Sequence, residues 1–205
     1  MRDYHRFDRF LNTLGSDVYP EEPIEPHISI TRDMINSLHQ DGKIRAGQRV
    51  LDVGCGQGLA LEHFKALGLD PVGITLGEDA KICRAKGFTI HEMDQNFMTF
   101  ADHEFDVLWC RHVLEHSVAP LFTLSEYRRV LKPGGLLYLE LPAPDTSAKH
   151  QLNPNHYSVL PVSAWDHLIR RAGFTAEGTA TLNLDLLSGP DTYWIFHLRA
   201  PSDAR

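Results

Sequence analysis

The stretch V-L-D-V-G-C-G-Q-G, running from Val50 to Gly58, sets an apolar segment carrying one acid, Asp52, against three glycines at alternate positions. Such a segment reads as a strand that breaks into a tight turn and then enters a helix. Glycines in that turn let a ligand approach bare backbone. The helix beyond presents unpaired N–H groups and the positive end of its dipole. The geometry expects a nucleotide-like cofactor, and the alternative is a turn that merely joins strand to helix.

Spacing narrows the choice. A dinucleotide site wants G-x-G-x-x-G and an acid about 20 residues on. Here Gly54, Gly56 and Gly58 give G-x-G-x-G, and Leu59 stands where the third glycine of that pattern would be. Asp52 puts a carboxylate beside the turn, where a second pyrophosphate charge is repelled and a cationic ligand is favoured. S-adenosylmethionine, with a sulfonium and an ammonium group, fits that sign.

The 205 residues, 42% hydrophobic and 23% charged, are expected to form one domain: a helical cap over 1–45 and a core over 46–205. A net charge of −7 argues against nucleic-acid or anionic-membrane partners. Cys55, Cys83 and Cys110 form no C-x-x-C pair and no apolar leader opens the sequence, so a reducing cytoplasmic setting is expected. No run of about 18 apolar residues marks a membrane span.

Periodicity places apolar residues at helical spacing in the segment from Arg2 to Leu14. After a bend at Pro20, Pro23 and Pro26, a second helix is expected over about 29–39. Strands are expected at 49–53, 71–75, 88–92, 105–110, 135–141, 175–182 and 192–199. Helical patterns cover 59–67, 79–86 and 121–131. The alternation implies an α/β fold, a mostly parallel sheet with helices on both faces. The last two strands, separated only by a loop with Ser188, Gly189 and Pro190, should pair antiparallel.

Four further segments accompany the opening stretch: M-D-Q at 93–95, F-D-V-L-W-C-R-H-V-L-E-H at 105–116, R-R-V-L-K-P-G-G-L-L-Y-L-E-L-P at 128–142, and N-P-N-H-Y at 153–157 leading to W-D-H-L-I-R-R-A-G-F at 165–174. With them, residues 46–178 resemble the class I S-adenosylmethionine-dependent methyltransferases, most closely the small single-domain families acting on small molecules or glycans. The resemblance implies a Rossmann-like seven-stranded sheet in the order 3-2-1-4-5-7-6 with strand 7 antiparallel.

It also implies a site. Gly54, Cys55 and Gly56 form the glycine loop around the cofactor, and Asp52 is expected to organise that loop through its backbone N–H groups and to reach the cofactor's amino end. Asp94 and Gln95 can supply the acceptor and donor that an adenine needs, or can serve as a plain turn. Where the family carries an acid for the ribose hydroxyls, this sequence has Thr75 followed by Leu76, with Glu78 as a possible helper. Arg111 and His112, ending the fourth strand, are implied to line the cofactor through their backbone.

Methyl transfer to a hydroxyl needs a proton acceptor near neutral pKa, which points to histidine. The first choice is His156 in N-P-N-H-Y and the second His116, with His150 and His27 behind them. His112 and His116 at i, i+4 have zinc-like spacing, but no acidic third ligand is spaced to join them, and no metal is expected. L-K-P-G-G at 131–135 reads as a structural stop and re-entry, and Trp165 and Phe174 as packing. The expected function is methyl transfer to a small-molecule or sugar hydroxyl. The alternatives are nitrogen or carbon acceptors, a catalytically silent cofactor-binding subunit, or a nicotinamide-dependent oxidoreductase. The residues W-C-R-H after the fourth strand, in place of an N-P-P-Y-like tetrad, weigh against nitrogen.

Overall fold

The computed structural model describes residues 5–14 and 22–202. The start of the expected first helix at Arg2 and the expected bend residue Pro20 lie outside them. In chain order the elements are α1 (His5–Leu14), α2 (His27–Gln40), β1 (Arg49–Val53), α3 (Leu59–Ala66), β2 (Asp70–Ile74), α4 (Gly77–Ala85), β3 (Thr89–His91) and β4 (Phe105–Arg111). A short 3-10 turn (Leu114–His116) leads to α5 (Pro120–Val130), β5 (Leu131–Pro142), α6 (Val162–Arg171), β6 (Thr175–Leu186) and β7 (Gly189–Arg199).

The strands form one sheet in the order β3-β2-β1-β4-β5-β7-β6. β1 to β5 run parallel, and β7 is antiparallel to both neighbours. This is the expected Rossmann-like order. β7 must reverse because only two residues, Leu187 and Ser188, separate it from β6, and so short a connection closes only a hairpin.

The central strands are apolar on both sides because both sides are covered. In β4, Val107 and Trp109 face a layer with Ile35, Leu38 and Phe64 of α2 and α3, while Leu108 and Cys110 face Leu124, Tyr127 and Trp165 of α5 and α6. Trp109 stacks on its neighbour Tyr138 in β5, ring centroids 4.0 Å apart. Each such fully buried side chain contributes roughly 1.5–3 kcal/mol. α2 therefore belongs to the core, with Ile35 and Leu38 buried, whereas α1 has no buried residue.

One boundary differs from the periodic reading. α5 ends at Val130, and Leu131 already pairs with Phe105 across β4, so Pro133 does not stop the helix. The register shift between Phe105 and Val107 absorbs Lys132 to Gly134. At Gly135 a Cβ would lie 2.9 Å from the Lys132 carbonyl oxygen, which leaves no room for a side chain. Among the described residues no helix is long and apolar enough to cross a membrane.

Candidate functional site

The carboxyl ends of β1, β2 and β4 meet where the strand order reverses direction from the middle of the sheet, the place where open α/β sheets hold ligands. A cavity of about 270 Å³ opens there. Its floor is the glycine loop. Gly54 has φ 68° and a Cβ on it would stand 2.3 Å from Val113 Cγ2, so the loop passes the turn after β4 at a distance only glycine permits. Gly56, at φ 48°, has nothing within 4 Å of that position and lines the cavity, so bare backbone faces the space a ligand would fill. Cys55 N–H donates to the Ile74 carbonyl at 3.0 Å and Gly58 N–H to the Cys55 carbonyl at 2.8 Å, fixing the turn.

Asp52 and Cys55 lie behind this floor. Asp52 is buried, and desolvation, with Cys83 adding to it, pushes its carboxyl well above the usual range. Among the described residues no hydrogen bond runs from the glycine loop to it; the loop is held by its own backbone and by Cys83, whose thiol donates to the Gly56 carbonyl at 3.1 Å. Burial and a hydrogen bond with Cys83 likewise keep Cys55 protonated.

The wall after β2 contains Thr75, Leu76 and Asp79. Glu78 points outward into an ion pair with Lys81 at 2.7 Å. Asp79, buried in the first turn of α4, is the carboxylate at this wall. The sequence reading passed over it: only the helix phase separates a solvent-facing Glu78 from a cavity-facing Asp79.

Met93 to Asn96 form the next wall. Asp94 Oδ1 accepts from both the backbone and side-chain N–H groups of Asn96 at 2.6 Å, an Asx turn. Gln95 Nε2 donates to the Val113 carbonyl at 2.9 Å and its Oε1 accepts from the Tyr127 hydroxyl, so its amide braces the wall. Asn96 Oδ1 accepts from Ser117 and Thr123, joining this corner to α5.

Arg111 turns to the opposite side of the sheet. Its guanidinium meets Glu140 at 2.8 Å, Thr31 at 3.0 Å and His27 at 3.0 Å, tying α2 to the strand ends. His112, in a left-handed conformation at φ 57°, lines the cavity. Its Nε2 sits 2.8 Å from Glu140 Oε1, and its ring stacks on Tyr193 at 4.4 Å. Burial would raise the Glu140 carboxyl, but the hydrogen bond from His112, with the Arg111 charge and the Tyr138 hydroxyl, outweighs it and holds it at about 2. Desolvation lowers the His112 imidazole against the opposing pull of Glu140, and the ring N–H donates to that carboxylate.

At the rim, His116 lines the cavity, and its Nδ1 lies 2.9 Å from the Asn155 carbonyl. His156 packs edge-on against it with centroids 4.7 Å apart, then stacks on His150 at 5.7 Å, whose Nε2 meets Asp191 at 3.0 Å. Burial, then the charges of His116 and His150, lower His156 to about 4. Thus Gly54, Gly56, Thr75, Leu76, Asp94, Gln95, His112 and His116 share one cavity, while Asp52, Cys55, Arg111 and His156 stand one layer behind it. Leu11 and Leu14 of α1, with Asn155 and Tyr157 of the N-P-N-H-Y segment, complete the wall, although none was singled out as a site residue.

A family model described as a methyltransferase domain matches residues 29–177. The chain belongs to that methyltransferase family. Its cofactor is S-adenosylmethionine, and the glycine loop, the carboxylate wall and the 94–96 corner are built on a scale and with donors that suit it. A ubiquinone biosynthesis O-methyltransferase from Methylococcus capsulatus is 36% identical over 101 residues, 45% of this chain and 43% of that protein, so the match spans under half of the relative's length. A solved S-adenosylmethionine-dependent methyltransferase from Methanosarcina mazei superposes with a TM-score of 0.69 at 14% identity, over 80% of this chain and 98% of that one. The solved cyclase SpnF superposes with a TM-score of 0.71 at 19% identity, over 98% of this chain and 94% of that one. The fold is therefore shared by proteins whose stated reactions differ.

Proposed function

We propose that this methyltransferase moves the methyl group of S-adenosylmethionine onto a hydroxyl oxygen of a small molecule. The observation that carries the reading is the single cavity whose floor is the glycine loop and whose rim is a group of histidines. When bound, the cofactor supplies an electrophilic methyl group on a cationic sulfur. The protein's task is then to align an acceptor oxygen and relieve it of its proton.

Asp79, with the Thr75 hydroxyl, is the group for the ribose diol, and the Asp94–Asn96 corner is that for the adenine. His116 at the wall, backed by His156, handles the acceptor hydroxyl, and His112 is held in place beside it by Glu140. Leu11, Leu14, Met93, Val118 and Tyr157 suit an acceptor with an apolar body. The name of the O-methyltransferase relatives supports oxygen as the acceptor atom.

The test begins with thermal stability in the presence of S-adenosylmethionine, S-adenosylhomocysteine or NAD. It continues with a screen of hydroxylated aromatic acceptors read by S-adenosylhomocysteine release. Stabilisation by the first two ligands, followed by turnover on a hydroxyl, supports the reading. Stabilisation without turnover on hydroxyl or amine acceptors makes the chain a silent binding subunit, and stabilisation by NAD alone overturns the cofactor assignment.

A further inference from the structure

We infer that Cys55 and Cys83 form a modification site, a thiol pair that a peroxide converts to a disulfide and that thereby closes the floor of the cavity to S-adenosylmethionine. The two residues come from different elements, the glycine loop and the last turn of α4. Their sulfurs converge on one atom. The Gly56 carbonyl oxygen lies 3.1 Å from Cys83 Sγ and 3.8 Å from Cys55 Sγ, and the thiols are hydrogen-bonded to each other. Both are free and buried. Glycines make the room they occupy: a Cβ on Gly73 would stand 2.6 Å from Cys55 Sγ, and one on Gly58 3.0 Å from Cys83 Sγ. Cys110 takes no part, because it lies in a different apolar cluster with its Sγ 3.4 Å from the Tyr127 hydroxyl.

Cys83 is the sulfur that reacts first. The hydrogen bond from Cys55, aided by the charge of Lys86, outweighs burial and lowers its thiol below the ordinary value, and the thiolate is the attacking form. Cys83 sits two residues before the end of α4, so a local fraying of that turn admits a small oxidant. The thiolate attacks one peroxide oxygen and breaks the O–O bond. The leaving hydroxide takes up the proton that the thiol released, which gives one water and a sulfenic acid on Cys83. The Cys55 sulfur then displaces the sulfenic hydroxyl, which leaves with the Cys55 proton as a second water. Two thiols have lost two electrons, and the peroxide has been reduced to two waters. Both S–H groups are consumed, so the Gly56 carbonyl loses the Cys83 bond that holds it. The new bond also draws the glycine loop toward α4, whose first turn carries Asp79. Gly56 and Asp79 both line the cavity, so floor and wall shift together.

This site goes beyond the proposed function: it rests on the cofactor alone and is testable without any acceptor. Reduced full-length protein is treated with hydrogen peroxide and mapped by mass spectrometry under non-reducing conditions. Cys55 should be joined to Cys83 in a chain about 2 Da lighter, with Cys110 still free. Calorimetry should then find S-adenosylmethionine binding weakened by at least about tenfold, and dithiothreitol should restore it. Cys83→Ser keeps a hydroxyl donor at that position. Whatever its starting affinity, peroxide should change its binding by less than about twofold, and Cys55→Ser serves the same purpose should the first variant fail to fold. A sulfinic acid in place of the disulfide, a disulfide to Cys110, or thiols that resist peroxide altogether overturn the inference. So does a Cys55–Cys83 disulfide that leaves binding unchanged. Reduced protein that forms the disulfide but never binds S-adenosylmethionine removes the cofactor assignment and not the modification site.

Discussion

Glu140 shows how much a single residue can organise. It is 0% exposed and takes hydrogen bonds from Arg111, His112 and Tyr138, so one carboxylate joins α2, the cavity wall and the β5 core. Glu140→Ala leaves the Arg111 charge nearly buried and unpaired. It should cost about 3–5 kcal/mol, read as a lower urea midpoint at unchanged m value. The neighbouring histidines set the response to acid. Burial, then the charge of His112, lowers His27 to about 4, and desolvation lowers His112. Both rings take up a proton more readily when unfolded than in the native state. Their contribution is present above about pH 6.5 and is lost as pH falls toward 4. Stability should therefore decline between pH 6.5 and 4.5, and replacing His27 with Phe should flatten part of that decline. On the opposite wall, Asp79→Asn should weaken S-adenosylmethionine binding about 10- to 100-fold by calorimetry, since a hydrogen bond to a charged group contributes about 1.5–3 kcal/mol. Glu78→Gln, at a side chain turned outward to Lys81, should leave it unchanged.

Among the elements, the glycine loop and α1 make opposite demands. Gly54 combines a left-handed backbone with a 2.3 Å overlap between any Cβ and Val113, whose carbonyl is held by Gln95. Gly54→Ala should cost roughly 2–4 kcal/mol from strain and overpacking together. The pair Gly54→Ala with Val113→Ala should recover the overpacking part, which a double-mutant cycle on the unfolding free energy would show. α1 is different in kind. Phe7, Leu11 and Leu14 are its half-buried residues, spaced to lie along one side of the helix; Leu11 and Leu14 wall the cavity and Phe7 packs edge-on against Phe97 at 6.1 Å. Changing Leu11 and Leu14 together to Asp should leave the melting midpoint within a few degrees while weakening ligand binding. A large fall in the midpoint would show that α1 belongs to the folding core.

In the whole molecule, apolar layers cover both faces of the central sheet. The cavity sits at the carboxyl edge, where loops from both halves of the chain meet. Ligand binding then adds stability by mass action. S-adenosylmethionine at 100 times its dissociation constant contributes about 2.7 kcal/mol, which for a domain of this size raises the melting midpoint by about 5–10 °C. A scan with and without the ligand measures this, and no rise at millimolar ligand would remove the cofactor assignment.

The sequence by itself determined the sheet and the floor of the site. V-L-D-V-G-C-G-Q-G, the alternation of apolar strands with helical patterns and the short β6–β7 loop imply a mostly parallel sheet with an antiparallel last pair, because strand, turn and hairpin preferences are local, and the resemblance supplied the strand order. Local chemistry also placed Gly54, Gly56, Thr75, Asp94 and His112 at one edge. Tertiary structure alone decided which groups face the cavity. Helix phase chose Asp79 over Glu78, and strand pleat sent Arg111 away to Glu140. The packing of the 153–158 loop on the turn after β4 set His156 behind His116 and beside Glu115. The placements of Arg111 and His156 depend on contacts between residues 29 to 84 positions apart, and no spacing along the chain records them.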